Sequence, residues 1–107
     1  MKPIITKTEY VISVSWFSKN CRMKAVAEAS KMSDHWFINR VLVQPVEIRS
    51  KGIGSFLLQT LIREIKKTDI KRIIVAPGGY AEDLSKQKKF YKENGFVGGN
   101  LMTYKGV

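Results

Sequence analysis

The chain has 107 residues and a formal net charge of +10 at pH 7, with 44% hydrophobic and 26% charged residues. This length suits a single hydrophobic core, so we predict one domain over residues 1–107. A single Cys21 excludes an internal disulfide framework and, with the single His35, argues against a zinc site, so no metal is expected. The sequence has neither an apolar run of the roughly 20 residues that cross a bilayer nor the apolar region of a signal peptide. We therefore expect a cytoplasmic protein without a membrane partner.

The excess of positive charge predicts anionic partners, which include a phosphate-rich cofactor, a nucleic acid and an acidic protein. A solvated basic surface explains the same charge equally well. Aromatic residues are poorly interleaved with the basic residues, so the sequence shows no evident stacking platform for bases. Nucleic acid is therefore kept as an alternative partner and is not favoured.

Three runs predict β-strands ahead of the first helix. Residues 1–8 are expected to form a frayed or edge segment, and residues 10–16 alternate between apolar and polar positions, which is typical of a half-buried strand. Residues 23–30 alternate in the same way and predict a second strand, antiparallel to the first. The third run, 36–43, is apolar on both faces except at two consecutive polar positions, so we expect it near the centre of the sheet.

The first helix follows a loop that begins at Pro45, which ends the third strand because proline donates no ladder hydrogen bond. The apolar spacing predicts that this helix starts near residues 50–52 and ends at two lysines, where cations suit the helix dipole. Its buried stripe is predicted to consist of Ile53, Leu57, Leu61 and Ile65, broadened by Phe56, Leu58 and Ile62.

The C-terminal part predicts a strand, a helix and a last strand. Residues 70–76 are rich in β-branched side chains and predict a fourth strand, parallel to the third because a helix connects the two. A second helix is predicted over residues 84–94, with Gly95 as its left-handed C-cap. A loose bend at 97–99 and a short strand at 101–105 follow. The order β-β-β-α-β-α-β predicts an α/β (α+β) fold with one mixed sheet.

The junction between the third strand and the first helix reads Arg49-Ser50-Lys51-Gly52-Ile53-Gly54. Glycines let a ligand approach the backbone, and the first helical amides point outward with the positive end of the helix dipole, which together favour phosphate. A third glycine is missing, since position 57 is Leu57, and no Gly-Lys-Ser/Thr follows, so the junction is neither a dinucleotide fingerprint nor a P-loop. We predict that it holds the pyrophosphate of a nucleotide-containing cofactor.

Two motifs carry a resemblance to a known family. Val43-x-Pro45, followed by Arg49-x-x-Gly52-x-Gly54 and an amphipathic helix, resembles the acetyl-CoA-binding motif of the GNAT N-acetyltransferases. Phe90-Tyr91-x-x-x-Gly95-Phe96 is similar to a second signature of that family, and one strand separates the two motifs, as the family requires. The resemblance covers about residues 10–105. It implies a GNAT-like sheet that binds acetyl-CoA at a splayed pair of parallel strands, and transfer of acetyl to a primary amine.

The resemblance also implies roles for individual residues. The Val43 amide would polarise the thioester carbonyl, and Tyr91 would protonate the departing thiolate as general acid. A core aromatic on a helix face is the alternative reading of Tyr91, and it is the better explanation of Phe90. The implied cofactor-binding residues are Leu42, Val43, Arg49, Ser50, Lys51, Gly52, Ile53, Gly54 and Ser55.

The general base is the first departure from the family pattern. Many members carry a glutamate on the strand before the motif, where this chain has Asn39, and an asparagine cannot act as a base. The other candidate bases are Glu28, Glu47 and Glu82, although the sequence around each of them is more typical of a surface charge. A water relay, or an acceptor amine that is already partly neutral, is our preferred account.

The acceptor site is the second departure. The sequence shows no counterpart of the family's N-terminal strand and helix pair, which implies either a large acceptor such as a protein lysine or a second subunit that completes the site as a homodimer. Leu84 also stands where the family often has an asparagine that helps to position the cofactor. Two alternatives to an enzyme remain: a GNAT-like binding module with little turnover, and a basic nucleic-acid-associated protein. Four lysines of the second helix fit the latter, but a solvated helix face explains them more simply: Lys86, Lys88, Lys89 and Lys92.

Overall fold

A computed structural model describes residues 2–44, 52–78 and 84–106. The described residues form one seven-stranded sheet and two helices, and the sheet order is β1-β2-β3-β4-β5-β7-β6. The elements are β1 (Ile4–Lys7), β2 (Val11–Phe17), β3 (Lys24–Lys31), β4 (Trp36–Gln44), α1 (Ile53–Lys66), β5 (Ile73–Val75), α2 (Leu84–Glu93), β6 (Phe96–Gly98) and β7 (Met102–Tyr104).

The sheet is mixed, as predicted. Strands β1 to β4 form an antiparallel meander, and β4 pairs with β5 in parallel through the α1 crossover. β4 therefore has a neighbour on each side, which confirms its predicted central place. The edge segment predicted at residues 1–8 contains β1, which pairs with β2 at one border of the sheet.

The loose bend predicted at residues 97–99 is wrong for Val97 and Gly98 and is confirmed only at Gly99. Val97 pairs with Thr103 and Gly98 pairs with Met102, so these residues belong to β6 in a hairpin with β7. Two adjacent glycines argue against a strand by propensity, but the ladder to β7 outweighs that local preference.

The core lies between α1 and strands β2 to β4. Three alanines of β3 are almost fully buried, and their small side chains let the helix approach the sheet closely: Ala25, Ala27 and Ala29. The predicted apolar stripe of α1 is buried except for Phe56, which is 37% exposed, so that part of the prediction is wrong. The helix also buries Thr60 and Glu64, which the apolar spacing did not include.

Glu64 is buried with two cationic partners. Its carboxylate contacts Lys7 Nζ on β1 at 2.5 Å and Lys67 Nζ at 2.8 Å. Hydrogen bonds first from Lys67 and then from Lys7 lower the pKa of Glu64 below its ordinary value, against the opposing effect of burial. The pair with Lys7 ties the edge strand β1 to α1.

We expect the Glu64 carboxylate to make stability depend on acid pH. Because the folded state lowers its pKa, the contribution is complete above pH 4.5 and disappears as pH falls through the folded-state value. Glu64→Gln should lower the free energy of unfolding by about 1–2 kcal/mol at pH 7 and flatten the acid dependence. Urea titrations at several pH values measure both. Glu93→Gln is the control, since the exposed Lys89, at 4.0 Å, is the cation that pairs with Glu93 within the described ranges, and this substitution should change little.

Neither helix in the described ranges is long and apolar enough to cross a membrane.

Candidate functional site

The parallel strands β4 and β5 pair over a short stretch. Their register contains Trp36 opposite Ile73 and Phe37 opposite Ile74. In the described residues β4 continues to Gln44 beyond this pairing, with β3 along its other edge. Leu42 and Val43 lie on this continuing part, Leu42 half-buried and Val43 6% exposed. The pairing of β4 with β5 is thus short in the described residues, and the splay of these two strands stays a prediction.

The N-terminus of α1 has no side-chain cap among the described residues. Its N-cap, Gly52, has φ +81°, in the left-handed region that favours glycine. The first helical hydrogen bond runs from the Phe56 amide to the Gly52 carbonyl at 3.0 Å, so the amides of Ile53 to Ser55 precede the helical ladder. A Cβ placed on Gly52 would meet no atom within 4 Å. Among the described residues, nothing occupies the space beside Gly52, and unpaired helical amides with the positive end of the dipole are the features that favour an anion.

The predicted cofactor residues Arg49, Ser50 and Lys51 lie outside the described residues. So do Glu47 and Glu82, two of the predicted base candidates. The helix begins at Ile53, slightly later than residues 50–52, and Gly52 is its cap.

Three elements meet at Gly54. A Cβ on this glycine would lie 3.5 Å from the Val43 Cγ2 atom and 3.5 Å from the ring of Phe90. The first turn of α1 therefore packs directly between the end of β4 and α2. This contact brings together residues from both predicted motifs, which are far apart in the sequence.

Asn94 connects the same two helices through hydrogen bonds and is 4% exposed. Its Nδ2 donates to Ser55 Oγ at 3.1 Å and to the Phe90 carbonyl at 2.9 Å. Gln59 Nε2 donates to both the Asn94 carbonyl and Oδ1 at 3.1 Å. Ser55 accepts this bond and keeps its own hydroxyl hydrogen for donation. The sequence analysis missed Asn94, whose only signal was its place before the C-cap glycine.

Asn94→Ala should lower the free energy of unfolding by about 1–2 kcal/mol, because Ser55 loses its side-chain partner and Gln59 keeps only its bond to the main-chain carbonyl of residue 94. It should also weaken the connection between α2 and the start of α1. Urea titration measures the first effect, and amide hydrogen exchange at residues 53–56 measures the second. Asn100→Ala, at an exposed position, is the control. Unchanged protection at residues 53–56 would contradict the coupling.

Tyr91 is buried at 7% exposure on α2. Its ring makes edge contacts with Phe90 at 5.2 Å and Phe96 at 5.5 Å between centroids. Burial raises the pKa of Tyr91 to about 12, so the phenol remains protonated at neutral pH. Among the described residues, none accepts a hydrogen bond from its hydroxyl. Phe90 is partly buried against the core, which agrees with its predicted role.

Asn39 lies at a β-bulge. The register between β3 and β4 places Glu28 opposite Arg40 and Ala29 opposite Ile38, so Asn39 is the additional residue. Its Nδ2 donates to Glu28 Oε1 at 3.2 Å and to Ser30 Oγ at 2.6 Å. Position 39 therefore holds an amide, with a carboxylate from the neighbouring strand beside it.

Comparison with known proteins identifies the class. The fold is similar to a Klebsiella pneumoniae protein assigned to the acyl-CoA N-acyltransferases, with 15% identity and a TM-score of 0.75 over 92% of this chain and 74% of that one. It is also similar to PaiA N-acetyltransferase from Thermoplasma acidophilum, solved in complex with coenzyme A, with 20% identity and a TM-score of 0.70 over 90% and 61% of the two chains. The anti-CRISPR protein AcrVA5 shares 18% identity and a TM-score of 0.63 over 98% of this chain and 100% of its own.

These likenesses establish the GNAT fold. A sequence model of the Acetyltransferase (GNAT) family matches residues 11–96, and the chain therefore belongs to that family. Family membership implies an acyl-CoA N-acyltransferase. No curated protein sequence is detectably similar to this chain.

Proposed function

We propose that this chain is an acetyl-CoA-dependent N-acetyltransferase that acts on a primary amine of a protein or another macromolecule. The observation that carries the proposal is the contact at Gly54, where the end of β4, the N-terminus of α1 and Phe90 of α2 meet. The chain thereby brings the N-terminal end of a helix, an extended strand and an aromatic helix face to one place.

The fit to coenzyme A starts at the amides. The pyrophosphate would lie on the first turn of α1, which carries no acidic side chain and has space beside Gly52 as far as the described residues extend. The pantetheine arm would run along β4 as an added strand, with the Val43 amide directed at the thioester carbonyl. Acetyl-CoA supplies the acetyl group already activated as a thioester. The proposed cofactor-binding residues remain Leu42, Val43, Arg49, Ser50, Lys51, Gly52, Ile53, Gly54 and Ser55.

Tyr91 is the proposed general acid. Its burial keeps the phenol protonated, so a hydrogen is available for the departing sulfur. A phenol with a pKa of about 12 is a weak acid towards a thiolate in water. The same exclusion of water raises the proton affinity of a thiolate formed beside Tyr91. The difference between the pKa of the tyrosine and the pKa of the thiol is therefore smaller in the site than in water. Hydrogen bonding to the developing negative charge therefore supports C–S cleavage.

The acceptor side favours a macromolecule. β1 connects to β2 through a short turn, in which the Thr8 amide bonds the Val11 carbonyl at 2.8 Å, and no described residue forms a helix there. The family's N-terminal helix pair, which forms one wall of the acceptor site, thus has no counterpart between these strands. A small amine needs an enclosing pocket, whereas a protein lysine brings its own surface. A second copy of the chain would be the other means of closing the site.

Two assays test this function. Calorimetry should show that acetyl-CoA and CoA bind to the chain. Pantetheine, which lacks the pyrophosphate, should not bind. A thiol-release assay with a blocked lysine peptide and small amines should show turnover that is highest for the peptide. Gel-filtration mass measurement with and without acetyl-CoA reports whether a homodimer forms. No binding of acetyl-CoA would refute the proposal.

A binding module with little turnover is the second candidate. The observation that favours it is Asn39, whose amide is engaged with Glu28 and Ser30 and offers no basic group. Tight binding of acetyl-CoA without CoA release on any amine would support this candidate. A nucleic-acid role predicts a DNA or RNA complex whose affinity falls steeply with salt, and its absence would exclude that role.

A further inference from the structure

We infer that Glu28 supplies the general base from β3, in place of the family glutamate that β4 lacks, and that Asn39 positions it. This inference rests on the proposed acetyltransferase function. It concerns the acceptor half of the site, for which the sequence motifs offer no residue.

The bulge in β4 explains how the carboxylate reaches this place. Asn39 and Arg40 are consecutive, yet both are exposed, because the bulge interrupts the alternation of faces. Glu28 lies directly opposite Arg40, and register partners point to the same face of a sheet. The chain therefore brings a carboxylate from β3 next to the bulged Asn39.

One hydrogen bond connects this carboxylate to Asn39. Asn39 Nδ2 is 3.2 Å from Glu28 Oε1 and 2.6 Å from Ser30 Oγ, so one amide group bridges both β3 side chains. No described residue forms a hydrogen bond with the second carboxylate oxygen of Glu28. The side chain is half-buried, so a ligand can reach that oxygen. An asparagine that cannot accept a proton itself thus orients a group that can.

The surroundings of Glu28 are polar and open. The same face carries Ser13 of β2 on one side and Arg40 of β4 on the other. Lys24, four residues earlier on β3, is the other nearby cation on this face. The buried core of Ala27 and Ala29 lies on the opposite face, against α1. An acceptor can therefore approach Glu28 from outside without displacing packed core residues.

The distance to the proposed thioester position suits a base that acts through one water. Arg40, opposite Glu28, precedes Val43 by three residues, or about 10 Å of extended strand. In the proposed complex, the glutamate side chain would span part of this distance. The amine nitrogen and one water would span the rest.

The proton balance is simple. Glu28 takes one proton from the ammonium through the water and passes it to solvent, so that a neutral amine attacks the thioester carbon. The new C–N bond forms and the C–S bond breaks. The nitrogen loses a second proton to solvent water, and the thiolate takes one from Tyr91, which is reprotonated from solvent. The net products are the amide, free CoA thiol and one released proton.

The test compares Glu28→Gln with the wild type on two matched peptides. One has a single lysine and a blocked N-terminus, and the other has a free α-amine and no lysine. Lysine has a pKa near 10.4 and an α-amine near 8, so the lysine depends more on a base at neutral pH. We expect Glu28→Gln to lower kcat/KM about 100-fold on the lysine peptide and much less on the α-amine. The loss should shrink as pH rises towards the lysine pKa, while the Kd for acetyl-CoA stays unchanged.

Two further variants separate a base from a structural role. Glu28→Gln combined with Asn39→Glu returns a carboxylate from β4 and should recover at least about tenfold of the lost activity. Asn39→Ala should lower turnover about tenfold and change the pH profile, as expected of a positioning residue. Glu9→Gln, at an exposed turn, is the control.

The outcomes separate this inference from the function on which it rests. If the wild type transfers acetyl and Glu28→Gln does so with the same kinetics, the inference about Glu28 is overturned. The proposal of an acetyltransferase is then still supported. An equal loss on both peptides, independent of pH, would also overturn it, because a structural role affects both amines alike. If the wild type binds acetyl-CoA but transfers no acetyl group, both the acetyltransferase proposal and the role of Glu28 as a base are refuted. The binding module is then the supported function.

Discussion

Tyr91→Phe is expected to lower kcat about 100-fold while the Kd for acetyl-CoA changes less than about twofold. The variant removes one hydroxyl and keeps the ring that packs against Phe90 and Phe96. The departing thiolate then lacks its hydrogen donor, whereas the contacts proposed for the pyrophosphate remain. Stopped-flow thiol release and calorimetry on the same preparation measure the two quantities.

Tyr104→Phe is the matched control for this variant. Tyr104 contacts the same Phe96 ring at 5.3 Å, so it reports the cost of removing a hydroxyl from this aromatic cluster without touching the proposed acid. Equal turnover of wild type and Tyr91→Phe would mean that Tyr91 is a core aromatic only, which is the alternative reading of its position on α2.

The same tyrosine should make stability fall at alkaline pH. Its folded-state pKa of about 12 exceeds the ordinary value of 10.0, so the folded state holds the proton more tightly. The contribution is complete below pH 10 and is lost as pH rises through 12, a total of about 3 kcal/mol for two pKa units. In Tyr91→Phe this part of the alkaline dependence should be absent. The comparison tests burial of Tyr91 independently of catalysis.

Local patterns in the sequence were sufficient to predict most of the scaffold. Alternation identified β2 and β3, the two-sided apolar run identified β4 as central, and the helix between β4 and β5 predicted their parallel pairing. The two motifs predicted a GNAT fold, which the comparisons confirm. These predictions depend on short-range periodicity and chain order, both of which a single sequence contains.

The contacts between elements were not predictable in the same way. Glu28 reaches Asn39 only because a bulge shifts the register of β3 and β4, and neither residue's neighbours announce that bulge. Asn94 meets Ser55 because two helices pack together, although 39 positions separate the residues. Glu64 is buried among apolar neighbours because Lys7 and Lys67 reach it. Each case depends on tertiary partners, and periodicity carries no information about these.

The assigned roles of the site residues remain predictions. The structure shows that Gly52, Gly54 and Ser55 lie at the start of α1, and that Val43 packs against Gly54. Their contact with coenzyme A is what the ligand series tests. If pantetheine bound as tightly as CoA, the amides of α1 would not hold the pyrophosphate. This result would not depend on the catalytic role of Tyr91.

Gly95→Ala is expected to be the most destabilising of the substitutions considered, with a loss of at least about 3 kcal/mol. Gly95 follows α2 with φ +96°, as its predicted role of left-handed cap requires, and its carbonyl accepts the Lys105 amide at 2.8 Å. An added Cβ would lie 2.8 Å from the Gly106 carbonyl and 2.9 Å from the Tyr104 ring. Backbone at that distance cannot move aside without breaking the bond to Lys105.

A glycine series separates the two contributions to this loss. Gly52→Ala has a similar φ of +81° but open space around the new Cβ, so it should lose only the conformational part, about 1–2 kcal/mol. Gly99→Ala has open space and no left-handed backbone, and should be nearly neutral. The urea midpoints of the three variants measure the order of these losses of stability. Equal losses at Gly95 and Gly52 would show that the C-terminal strand moves freely away from α2, and Tyr91 would then lie on a helix end less firmly held than its burial indicates.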